Sequence, residues 1–277
     1  MKSIKCAWLL GVATLACVTT GSAVAGPVIT DWNYTVSAAF DTASPTFSNS
    51  SGCNSISGSL LSWGSCTSNL SPIGNPSRSG LGIVNSNATG VIQTNGAAGI
   101  ANTYVHYNNT ATTGTLQTAI VQSSLTLSSL APVAGLDFGP ATLPYFIQFV
   151  ETANNVPLST CVVTDSTRPC ADIFVITGVL ENTFSLDGNT YKVSFFAPTE
   201  DLYTLSDEVC AAANAASGCT GFTTQERETN AFTFNFTITN VAAEVPEPSS
   251  LALMGLGLAA ALGARQKRRA RSDRVES

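Results

Sequence analysis

The chain has 277 residues, of which 11% are charged, with 12 Lys+Arg, 18 Asp+Glu and one His. Soluble domains carry nearer a quarter charged residues, so Ser, Thr and Asn must wet this surface instead. A formal net charge of -6 offers no basic face for phosphates and argues against nucleic acid, while the lone His106 leaves His-rich metal sites and most triads without a base.

In chain order, the first segment is a targeting signal. Lys2 and Lys5 precede an apolar run from Ala7 to Val18, and Ala23-Val24-Ala25 gives a small-x-small cleavage site. Residues 1–25 therefore read as a secretory signal peptide, with Ala23 and Ala25 as the small residues of its cleavage site.

The body that follows, residues 26–240, has a period of two. Trp32–Val36 alternates, as does Leu125-Thr126-Leu127 within Leu116–Leu130; Tyr145–Val150, Asp172–Leu180 and Tyr191–Phe196 are rich in strand-forming residues. Phe232–Ile238 is the cleanest alternation, with four apolar side chains on one face. Turn residues fall between the runs at Asn75-Pro76, Asn95-Gly96, Ala153-Asn154-Asn155 and Asp187-Gly188-Asn189. One helix is expected, with Ser206 as N-cap and Asp207 and Glu208 in its first turn. No Pro/Ser-rich linker divides the body, so the expected fold is all-β: a single β-sandwich, jelly-roll-like, with its last strand ending near Asn240. Residues 26–247 hold four Lys/Arg and sixteen Asp/Glu, a net charge of -12. Such a charge attracts divalent cations, but no dense Asp/Asn loop of the calcium-binding kind appears, and no metal or cofactor is expected.

Six cysteines lie in the body, an even number in an exported chain, which favours disulfides over metal ligands. Fifteen connectivities are open to six cysteines, and proximity along the chain favours Cys53–Cys66, Cys161–Cys170 and Cys210–Cys219. Each pair would pin a surface loop with little core of its own, contributing roughly 3 kcal/mol by loop entropy.

Candidate chemistry is sparse. His106 and Asn108 would share a face of a strand, where they could contact a sugar hydroxyl or a metal, or simply close a sheet edge. Glu151, Asp165, Asp172, Glu226 and Glu228 are available acids, yet no spacing selects a pair for glycoside hydrolysis. Glu151 and Asp172 are as well explained by buried backbone donors, or by pairing with Arg168 and Lys192. Trp32 and Trp63 read as core, whereas Tyr104 and Tyr107 flank the histidine in a polar stretch suited to stacking on saccharide. Nucleophile-elbow, phosphate-loop and dinucleotide fingerprints do not occur, so no catalytic residue is assigned.

The C-terminus has three parts. Val245-Pro246-Glu247-Pro248 closes an extended linker, 241–248. An uncharged stretch, 249–264, follows; as a helix its sixteen residues would span about 24 Å, a short stop-transfer segment. The basic tail, 265–277, contains Arg265, Lys267, Arg268, Arg269 and Arg271 and would stay in the cytoplasm. This order resembles the PEP-CTERM sorting signal. The resemblance implies recognition by exosortase, a membrane-embedded cysteine peptidase-transpeptidase, transient anchoring in the inner membrane, and a Gram-negative host that makes extracellular polysaccharide. A second resemblance covers most of the body, to the THxN family of PEP-CTERM proteins. Its motif reads Val105-His106-Tyr107-Asn108 here, with Val in place of Thr. Supporting segments are Leu61–Gly64, Phe149–Asn154, Cys170–Phe174 and Gly221–Glu226.

Together these readings describe an exported cell-envelope protein, non-catalytic, structural or adhesive in the polysaccharide matrix of a biofilm. A carbohydrate- or ice-binding module and a polysaccharide-modifying hydrolase are the readings from other classes.

Overall fold

Alternating side chains give each strand one face to bury, and two such faces pressed together make the body. The structure, a computed structural model, describes residues 25–241 except 50, 112, 165, 168, 169, 179 and 199–201. Ala23 and the signal peptide, the Val245-Pro246-Glu247-Pro248 linker, the apolar segment, the basic tail, Asp165 and Arg168 lie outside the described residues.

Strands β1 (Asp31–Phe40), β2 (Thr46–Phe47), β3 (Ser55–Ile56), β4 (Leu60–Gly64), β5 (Arg78–Asn85) and β6 (Asn87–Gln93) come first. Next are β7 (Gly99–Asn108), β8 (Leu116–Ala131), β9 (Asp137–Val150), β10 (Asp172–Gly178), β11 (Glu181–Leu186) and β12 (Asn189–Phe196). β13 (Tyr203–Thr204), helix α1 (Asp207–Ala212), β14 (Thr220–Thr224) and β15 (Glu228–Val241) complete the order. They form two antiparallel sheets among the described residues. One runs β13-β14-β10-β9-β8-β1-β6, with β2 also on β8; the other runs β11-β12-β15-β7-β5-β4-β3. The all-β sandwich expected from the sequence is the fold found.

The main core lies between the sheets. Phe232, Phe234, Phe236 and Ile238 of β15 enter it, as their alternation requires, with Trp32 and Trp63 fully buried. A second, smaller core covers the outer face of β10, where Ile173 and Val175 pack under α1 residues Val209 and Cys210. β10 is therefore buried on both faces, which explains its unbroken apolar run. Ser206 caps α1 as expected, its hydroxyl accepting from Val209 N at 3.4 Å.

All three expected disulfides are present: Cys53–Cys66, Cys161–Cys170 and Cys210–Cys219. They do more than pin surface loops. Cys210 is fully buried inside the second core, and Cys170 is buried directly before β10. Tyr104 also departs from expectation. It lies in β7 rather than a polar loop, 1% exposed and stacked on Phe232 at 5.3 Å. Its polar neighbour Asn102 is buried because Nδ2 donates to Asn85 O at 2.9 Å, beside a register shift in the β5–β7 pairing. Tyr107 stays partly exposed on the opposite side of the strand.

Candidate functional site

Period two carries each inward row of side chains to the same end of the sandwich, and there each row changes from apolar to polar. In β9, Tyr145, Ile147 and Phe149 line the core, and the next inward position is Glu151. In β10, Ile176 and Phe174 lead back to Asp172. In β14, Phe222 is followed by Thr224 and, in the turn beyond, Glu226. From the opposite sheet, β7 contributes Tyr104, then His106 and Asn108, and β4 contributes Leu61 and Trp63. Antiparallel register brings these ends level: Asp172 is opposite Thr224, Ile173 opposite Val150, and Asn108 opposite Glu228.

Thr224 joins the two sheets. His106 Nδ1 lies 3.0 Å from its hydroxyl, and Asn108 Nδ2 donates to its carbonyl at 3.1 Å. His106 and Asn108 thus share a face, as the sequence suggests, but the face is fully buried. The imidazole stacks on Trp63 at 5.9 Å and meets Phe149 and Phe174 edge-on. Burial holds its pKa down at about 3, so the ring is neutral at ordinary pH.

Three of the five candidate acids converge. Glu151, Asp172 and Glu226 place carboxylate oxygens within 4.8 Å of one another. Asp172 and Glu226 are 0% and 1% exposed, and Glu151 is partly buried. Glu228 is exposed and takes no part. Asp172 does accept a buried backbone donor, Thr152 N to Oδ1 at 2.8 Å, while Thr152 Oγ1 donates to Cys170 O. Glu151 Oε1 accepts from Asn154 Nδ2 at 3.2 Å. Lys192 pairs with Glu181 rather than with either acid, at 2.7 Å.

Burial opposes ionisation of all three carboxyls, and their mutual charge adds to it. Glu151 is pushed up to about 10, first by burial and then by the charges of Asp172 and Glu226. Asp172 is raised well above the carboxylate range by burial and by Glu226, against the Thr152 hydrogen bonds. Glu226 rises to about 7 through burial, with the exposed Arg227 partly offsetting it. Chemically, the cluster can take up protons or a hard cation. Sequence spacing did not select it, because its members are brought together only by strand pairing; the signal that was present is the placement of each acid at the end of an apolar alternating run.

Residues 244–269 match the family model of the PEP-CTERM protein-sorting motif. The match covers Val245-Pro246-Glu247-Pro248, the apolar segment and the start of the Arg cluster. No curated protein matches the chain. The chain thus carries a PEP-CTERM sorting signal and is an exported protein, anchored in the membrane until exosortase processes it.

Proposed function

We propose that the body works beyond the inner membrane of a Gram-negative cell as a non-catalytic, structural or adhesive component of the extracellular polysaccharide matrix. The observation that carries this reading is the sorting motif itself, which begins at residue 244, just after β15 ends at Val241. The whole disulfide-braced sandwich would be delivered as one unit to the place where the matrix is laid down. A body carrying -12 and few charges overall suits a hydrated, soluble surface there. We further assign the body to the THxN group, because the five segments that carry that resemblance are those that meet at the carboxylate cluster.

One observation favours a hydrolase instead: buried carboxyls held partly protonated are the groups a general acid needs. Their burial counts against it. A glycosidic bond must lie between the acid and its partner, and Asp172 and Glu226 are sealed from solvent. The test uses protein purified from the surface of the producing cells, incubated with that cell's polysaccharide. Co-sedimentation without release of reducing ends is the expected outcome. Release of reducing sugar would establish the hydrolase.

A further inference from the structure

The end of the sandwich is crowded with oxygen acceptors that have too few donors. Asn108, fully buried, donates from Nδ2 to Thr224 O, which fixes how the amide faces. Its Oδ1 has no hydrogen-bond partner, and its N–H2 group is turned toward the carboxylate of Asp172. Glu151 Oε2, Asn154 Oδ1, Asp172 Oδ2 and both carboxylate oxygens of Glu226 are likewise buried without partners. The indole N–H of Trp63 is turned toward Glu151, without a hydrogen bond of full geometry. Native interiors rarely leave one such group unsatisfied, and six in one place call for a ligand.

Positive side chains do not fill the need among the described residues. The Arg78 guanidinium is spent on Leu70 O, Ser65 O and Ser62 Oγ, Lys192 on Glu181, and Arg227 is exposed. Three carboxylates held together away from water repel one another unless protons or a counter-charge neutralise them.

We propose that Glu151, Asp172 and Glu226 bind a calcium ion that ties together the ends of β9, β10 and β14. Oxygen donors alone select a hard cation over zinc or copper. Among hard cations calcium is the better match, because it accepts an irregular set of protein oxygens whereas magnesium demands near-ideal octahedral geometry and keeps several waters. The carboxylate oxygens lie within 4.8 Å of one another, inside the span of one calcium coordination sphere. The ion has a way in: Glu151 lines two clefts of about 430 Å³ and 410 Å³, with the sealed pair behind it. Bound there, it links the end of β9 and the start of β10 to the turn after β14.

The test is made on the exported protein, stripped with EGTA and titrated with CaCl2 or MgCl2 at pH 7.5. Calorimetry is expected to give one calcium per chain, with Tm rising by several degrees and a smaller rise with magnesium. Glu226→Gln and Asp172→Asn each remove one carboxylate from the cluster. Both are expected to be at least as stable as the parent in EGTA and to lose the calcium response, whereas Glu181→Gln, at an exposed site, keeps it. A folded parent that ignores calcium up to 10-millimolar order would overturn the proposal and leave shared protons as the neutralising charge. A full calcium response in Glu226→Gln and Asp172→Asn would overturn it equally.

Discussion

His106 shows how far a side chain's role depends on what surrounds it. As the single histidine of a sparsely charged chain it invites a ligand-binding reading, yet it is a neutral ring wedged between Trp63, Phe149 and Phe174. Its chemistry appears in stability. The folded pKa lies at about 3, below the ordinary value of 6.5, so the unfolded chain binds this proton first. The contribution of His106 is therefore complete above pH 6.5 and is lost as pH falls from there toward 3. By pH 4 the loss is about 3 kcal/mol. The neighbouring carboxyls shift the opposite way, so the measurement is a difference: urea unfolding of the parent and of His106→Phe across pH 4–7. The variant should fall less steeply with acid; parallel curves would contradict the buried neutral ring. Nothing adjacent in sequence reveals this burial. Thr224, which touches His106, is 118 residues away.

At the scale of elements, much was legible and the reason is periodicity. Phe232–Ile238 alternates because one side of β15 faces the core, and Ser206 precedes α1 because a capped helix start has a recognisable chemistry. Tyr104 was misplaced because Asn102 and Thr103 give β7 a polar look, whereas Asn102 spends its amide inside the fold. β10 lacks alternation altogether, since α1 covers its second face. The junction of β10 and β14 is tight: a Cβ at Gly221 would collide with the backbone carbonyl of Phe174. Gly221→Ala should push β14 away and cost about 1–3 kcal/mol, an amount read from the denaturation midpoint. If the variant also loses calcium binding, the displaced strand is the one that carries Thr224 and leads into the turn holding Glu226. An unchanged midpoint would show that the strands do not approach this closely.

The whole molecule joins a sequence-legible address to a site that only the folded chain assembles. The sorting motif can be read at residues 244–269 because exosortase recognition acts on a linear segment. The carboxylate cluster cannot, because Glu151, Asp172 and Glu226 meet only through register across three strands. The same distribution gives the net charge its meaning. The formal -6 of the chain conceals a body at -12, three of whose acids are gathered inside. An exported protein can hold such a cluster together with a cation drawn from its surroundings. The most direct measurement is a high-resolution crystal structure of the exported protein grown with calcium. One ion is expected among Glu151, Asp172 and Glu226, with metal–oxygen distances of about 2.3–2.6 Å. Carboxyl oxygens paired through short shared-proton contacts, with no ion between them, would contradict it.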